Sequence, residues 1–319
     1  MRRADLPEEH VYDIVTTPPC CPSHGSGRQG CGSSTQTYGR IVVECDSWTY
    51  HAEKSAFHAL PLRRVTHVPD AIFDNPRLAG IYDALEDERP DLDVYVALAT
   101  ELGARKVLDI GCGTGTFALL LSADGLEVTG VDPAAASLDV ARAKPGADRV
   151  RWLLGTAADV GDLRADLATM TGNVAQAIAE PADWVATLHA TYDSLADGAH
   201  LVLETRDPAA RAWEDWHRDA SRRTIDVPGV GAVESWVDLL AVDGPLVTFR
   251  WTYVFGADGA ALTSDSTLRF RGRDEVGTDL VAAGFEVVEV RAAPDRPGLE
   301  FVFVARRPQR GIVSSHSVP

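Results

Sequence analysis

Residues 107–121 read VLDIGCGTGTFALLL. An apolar run enters three glycines at alternate positions, Gly111, Gly113 and Gly115, and leaves into an apolar helical pattern. Glycine permits unusual backbone angles and close approach of a ligand, so a strand–turn–helix of this kind suits a nucleotide-like group. Asp109 stands just before the first glycine. A carboxylate there would repel a pyrophosphate lying against the turn and the helix N-terminus. It would favour a ligand that is cationic at that end, through charge-assisted hydrogen bonds. A second carboxylate, Asp132, closes LEVTGVD. At the tip of the next strand it can accept both hydroxyls of a ribose. It could equally cap a helix that begins after Pro133.

S-adenosylmethionine meets both conditions. It has no phosphate, an ammonium and a sulfonium at one end, and an adenosine at the other. A nicotinamide dinucleotide meets only the second.

These residues need a scaffold that brings successive strand tips together. Strands are expected at 105–110, 127–132, 149–154, 165–170 and 199–205, and helices at 115–123, 134–143 and 181–196. Such alternation implies an α/β chain with a Rossmann-like, doubly wound, mostly parallel sheet. Helices at 77–86 and 91–103 precede it, with Pro76 and Pro90 near their starts. After Pro208 the pattern changes. PAARAWEDWHRDASRR reads as one helix, and strands follow near 232–242, 246–255 and 261–271. Asp243-Gly244 and Asp258-Gly259 supply hairpin turns between them. A helix at 274–283, ended by Gly284, and strands at 285–291 and 299–307 return to the main sheet, making seven strands. The expected domains are a core of 69–207 plus 273–308, an inserted helix and small antiparallel sheet at 208–272 acting as an acceptor-binding lid, and a flexible tail at 309–319. Residues 1–68 are rich in Gly, Ser, Thr and Pro, and read as a disordered extension or an over-long start.

Composition narrows the partners. The chain has 319 residues, 30 basic and 47 acidic, for a net charge of −17. That balance argues against nucleic acid and anionic membranes. No apolar run is long enough to span a bilayer, and no secretory signal is read at the start. Four of the five cysteines lie in the first 45 residues, and the odd total suits a reducing cytoplasm better than a disulfide framework. Cys20, Cys21, His24 and Cys31 match no standard zinc spacing, so no metal is expected.

VLDIGCGTG followed by GVDPA resembles motifs I and II of class I S-adenosylmethionine-dependent methyltransferases. The resemblance extends over about 70–207 and 273–308, is specific over 105–172, and points to the small-molecule branch. It implies that Asp109, Gly111, Gly113 and Gly115 line the methionine end of the cofactor. Asp132 would hold the ribose, with Pro133 beside the adenine. Thr156 stands where the family often has an acidic residue, so an adenine contact would fall to the backbone around Thr156 and Ala157. Met170 and Thr171 would close the fourth strand where sulfonium and acceptor meet. Asn173 occupies a position where related chains often carry His, and no base carries over. Tyr82 would cover the cofactor, or pack in a helix interface.

Methyl transfer is an in-line displacement in which alignment matters most, and a base is needed only when the acceptor must lose a proton. Catalytic candidates are therefore few: Arg206 on the rim, or else paired with Glu204 or Asp207, and His217 beside Trp213 and Trp216. Trp236, Trp251 and Tyr253 of the inserted sheet could form an aromatic wall or that sheet's own core. Three readings stay open: a methyltransferase acting on O or N of a small molecule, a nicotinamide-dependent oxidoreductase, and a non-catalytic regulator that keeps the cofactor site.

Overall fold

The computed structural model describes residues 68–86, 89–293 and 296–309. The expected extension and tail lie outside these residues but for Val68 and Gln309, as do the cysteines expected not to bind metal. Strands β1 (Lys106–Ile110), β2 (Glu127–Asp132), β3 (Val150–Leu154), β4 (Ala165–Met170) and β5 (Leu195–Arg206) come first. Strands β6 (Arg223–Val227), β7 (Gly231–Asp243), β8 (Leu246–Phe255) and β9 (Ala261–Arg269) form a separate antiparallel sheet, and β10 (Glu286–Ala292) and β11 (Glu300–Arg306) rejoin the first.

The main sheet has seven strands in the order β10-β11-β5-β4-β1-β2-β3. All neighbours pair in parallel except β11, which runs antiparallel to both β10 and β5. Successive strand residues face opposite sides, so Val107 and Leu108 enter different cores. Leu108, Ile110, Leu201 and Phe303 pack on one face with Trp184, Leu188, Val276 and Leu280. Val107, Val128, Leu167 and Val202 pack on the other with Leu92, Tyr95, Phe117 and Leu121.

The helices run from four to 14 residues. In chain order they are α1 (Ala71–Asp74), α2 (Pro76–Ala79), α3 (Tyr82–Leu85), α4 (Asp91–Glu101), α5 (Thr116–Ala123), α6 (Ala135–Ala143), α7 (Val174–Ala177), α8 (Pro181–Ser194), α9 (Arg218–Ser221) and α10 (Arg273–Ala282).

Three expectations are corrected. The single helix over 77–86 is a pair of one-turn helices, α2 capped by the Asn75 side chain and α3, separated at Gly80, a poor helix former. The single helix over 208–223 does not form. Arg211 is left-handed (φ 49°) and His217 is extended (φ −140°, ψ 157°), which leaves two 3-10 turns and the one-turn α9. Trp213 and Trp216 are consequently not a helical stripe. Their rings meet Phe270 and Phe249 at 4.5 and 4.7 Å between centroids. RTIDV, of which only Arg223 falls in that expected helix, forms β6, so the inserted sheet has four strands and not the three expected.

Candidate active site

In the register of β1 and β4, Asp109 lies opposite Thr169. β1 is the switch point of the sheet, because the chain continues to β2 and β3 on one side and returns through β4 on the other. Ligands of open α/β sheets bind at the carboxyl ends of the strands beside such a point. A cavity of about 570 Å³ opens there.

The glycine loop forms its floor. Gly111, Gly113 and Gly115 all have positive φ (70°, 54° and 81°), which L-residues with a side chain rarely adopt. They differ in what surrounds them. A Cβ on Gly111 would meet Val174 at 2.5 Å and one on Gly115 would meet Trp152 at 2.5 Å, whereas one on Gly113 would meet no protein atom within 4 Å. Gly113 thus keeps backbone open to the cavity, while the other two allow elements to pack closely.

Asp109 is almost fully buried, at 2% exposure. Its Oδ1 accepts from Thr169 Oγ1 at 3.0 Å, and its Oδ2 has no partner. Burial pushes its pKa up to about 7, against the lowering effect of the Thr169 hydrogen bond and with a further rise from Asp132 nearby. An unpaired buried carboxylate oxygen is costly, and Asp109 is one of the residues that line the cavity. Asp132, also buried, accepts from Gly113 N–H and Ala134 N–H, each at 2.8 Å. The helix cap that the sequence allowed for Asp132 does not form: Ala134 is the N-cap of α6, without a side-chain cap, and the Asp132 contact closes the turn before it.

Asp83 of α3 ties the cover to this loop. It accepts from Thr114 Oγ1 at 2.6 Å and pairs with Lys144 at 2.6 Å. Phe73 adds a second tie, its carbonyl accepting from Ser137 Oγ at 2.7 Å. Tyr82 packs against Phe73 (5.6 Å between centroids), and burial raises its pKa.

Of the residues singled out in the sequence, Tyr82, Asp109, Gly111, Gly113, Asp132, Pro133, Thr156, Ala157 and Thr171 line the cavity. Gly115 and Met170 do not: Gly115 faces Trp152, and Met170 is wholly enclosed in the sheet core. Thr156 donates its N–H and hydroxyl to Asp159 Oδ2 at 2.9 and 3.2 Å. The nearest carboxylate along the chain is thereby turned into a 3-10 turn cap, leaving the Thr156 position without an acidic group.

Neither catalytic candidate lines the cavity. His217 is exposed. Arg206 pairs with Glu300 at 3.5 Å, not with Glu204 or Asp207, and its guanidinium sits 5.9 Å from the Trp216 ring centroid. Glu204 instead accepts the Tyr95 hydroxyl and the Asn173 N–H, the latter at 3.1 Å. Burial raises its pKa. It holds Asn173 in a left-handed conformation (φ 62°) at the end of the Thr171–Gly172 turn. Trp251 and Tyr253 stack on each other in the inserted sheet, and Tyr253 is buried in a core that this sheet shares with Ile72, Leu78, Ile81 and Leu85.

The cavity also recruits residues that the sequence did not single out. Asp183 and Thr187 come from α8, and Asp265 and Thr267 from β9. Among the described residues eight carboxylates line it and one cation, Arg89, which is held by Asp91 at 2.7 Å. No group of three His, Cys, Asp or Glu among the described residues could hold a metal ion.

Known proteins share parts of this arrangement. A family model described as a methyltransferase domain matches residues 77–238, half of the chain. A protein of Geobacillus sp. (strain WCH70) is 48% identical over 76 residues, covering 22% of this chain and 30% of its own length. Cypemycin N-terminal methyltransferase from Streptomyces sp is 32% identical over 119 residues, 37% of this chain and 49% of that protein. The chain therefore spans less than half the length of either curated relative. The sugar N-methyltransferase KedS8 from Streptoalloteichus sp superposes with a TM-score of 0.62 at 19% identity, over 77% of this chain and 98% of that one. That likeness is one of fold.

Proposed function

Because the chain belongs to the methyltransferase-domain family, we propose that it transfers a methyl group from S-adenosylmethionine to oxygen or nitrogen of a small-molecule acceptor. The observation that carries this is Asp109, a residue of the switch-point cavity lining whose buried Oδ2 has no partner. It suits the cationic end of this cofactor and opposes the diphosphate of a dinucleotide.

In this reading Asp109, Gly111 and Gly113 hold the methionine end, and Asp132 and Pro133 the ribose and adenine side. A carboxylate can accept about four hydrogen bonds, so the loop contacts of Asp132 do not preclude ribose hydroxyls. Backbone at Thr156 and Ala157 meets the base edge, Thr171 borders the reacting centre, and Tyr82 covers it. When bound, the cofactor supplies a methyl group on a positively charged sulfur. The chain's own work is to fix the acceptor in line with that methyl and to keep water out. Arg206 and His217 have no part in it, since neither reaches the cavity.

The acidic surface supports an acceptor that is neither nucleic acid nor lipid. The buried free thiol of Cys112 suits a reducing, cytoplasmic setting. Calorimetry with S-adenosylmethionine and with NAD tests the proposal. Binding of the first alone supports it, and binding of NAD alone overturns it.

A further inference from the structure

Two left-handed residues in succession follow β4. Gly172 has φ 66° and Asn173 has φ 62°. Glycine takes up that conformation freely, whereas a residue with a Cβ resists it. Nothing in the local sequence fixes Asn173 there. It is the N-cap of α7, but its side chain makes no cap hydrogen bond, and its buried Oδ1 has no partner among the described residues. α7 is a helix of four residues, too short to set its own start.

What holds the turn comes from the neighbouring strand. Met170 pairs with Leu203 in the register of β4 and β5, and Glu204 is the next residue of β5. Glu204 is buried. Its Oε1 accepts the Asn173 N–H at 3.1 Å, and its Oε2 accepts the Tyr95 hydroxyl of α4. Both oxygens act as acceptors, as in an ionised carboxylate. One buried acid thus joins β5, α4 and the turn.

The turn is also part of the cavity wall. Thr171, Gly172 and Val174 line the cavity, and Glu204 does not. Val174 occupies the space over Gly111, where a Cβ would meet it at 2.5 Å. A shift at Asn173 is therefore passed to the wall through Gly172 and to the glycine loop through Val174. On its other side, Tyr95 stands edge-on to Phe117 at 6.2 Å between centroids, and Phe117 lines the same cavity.

We propose that Glu204 is a positioning residue for methyl transfer, holding the Gly172–Asn173 backbone so that the turn fixes the reacting end of S-adenosylmethionine. This rests on the methyl-transfer reading above. Glu204 acts through the turn and touches neither cofactor nor acceptor. No proton or electron passes through it. Its contribution is alignment, and a misplacement of about 1 Å at a reacting centre can cost about a hundredfold in rate.

The test uses the full chain with S-adenosylmethionine isotope-labelled at its methyl carbon. Affinity is read by calorimetry and the bound methyl resonance by NMR. Glu204→Leu deprives the Asn173 N–H of its acceptor. It is expected to weaken binding at least about tenfold and to move the methyl resonance by more than its line width. Glu204→Gln keeps an acceptor oxygen in place, and is expected to return both readings to near the parental values. Tyr95→Phe frees the carboxylate from α4 alone. It is expected to move the resonance in the same direction by less, and it carries the test if Glu204→Leu does not fold. A resonance unmoved in the folded variants, with only the melting temperature lowered, makes Glu204 a structural residue and overturns the proposal. So does a Glu204→Gln variant that resembles Glu204→Leu. If the parent chain fails to bind S-adenosylmethionine, the methyl-transfer reading falls instead.

Discussion

The Gly113 backbone N–H donates to Asp132 Oδ2 at 2.8 Å, joining the tip of β2 to the middle of the glycine loop. The carboxylate is thus a structural clamp before any ligand arrives. Asp132→Ala removes acceptors for two backbone N–H groups. It should lower ligand-free stability by about 1–3 kcal/mol, read as a shift in the urea midpoint. Affinity for S-adenosylmethionine should fall by more than that loss of stability accounts for, because the ribose contact goes too.

Gly113 and Gly115 should separate in the same two measurements. Gly115→Ala drives a methyl into the Trp152 ring and should destabilise the fold by about 1–3 kcal/mol. Gly113→Ala meets no protein atom, so it pays only for its positive φ, about 1 kcal/mol. It fills ligand space instead, and cofactor affinity should drop at least tenfold. Thermal unfolding beside calorimetry distinguishes the two.

Asp109 makes stability depend on pH in an unusual direction for an acid. Its folded pKa of about 7 lies above the ordinary 3.8. The folded state therefore prefers the protonated form, and stability is lost as pH rises from about 4 through about 7, by about 4 kcal/mol in the limit. Asp109→Asn does not titrate. Without cofactor, its melting temperature relative to the parent should climb between pH 5 and pH 8. A flat difference would contradict this.

The same group couples cofactor binding to protons. A cationic ligand beside Asp109 favours the ionised form, so binding should release about one proton at pH 6 and far less at pH 8. Calorimetry in buffers of different ionisation heat measures the release, and Asp109→Asn should abolish the difference between the two pH values.

Much of the main sheet is legible in the chain because apolar runs alternate with helical patterns between 105 and 205. Asp109 and Asp132 stand out because each ends such a run. β6 is harder to read. RTIDV follows a stretch rich in charges and tryptophans, and its strand character comes from pairing with β7. Asp183 and Thr187 carry no local mark either. An acid in the first turn of a helix is ordinary, and only the folded chain places it across a cavity from β9. His217 shows the converse, a chemically capable residue that the breaks at Arg211 and His217 leave on the surface.

Ile72, Leu78, Ile81 and Leu85 share one apolar cluster with Val227, Val233, Tyr253 and Phe255. Two distant stretches of chain thereby close on one shared core, held to the glycine loop and to α6 through Asp83 and the Phe73 carbonyl. Weakening the Asp83–Thr114 hydrogen bond is expected to quicken both entry and escape of the cofactor while leaving the equilibrium constant nearly where it was, as stopped-flow binding would read.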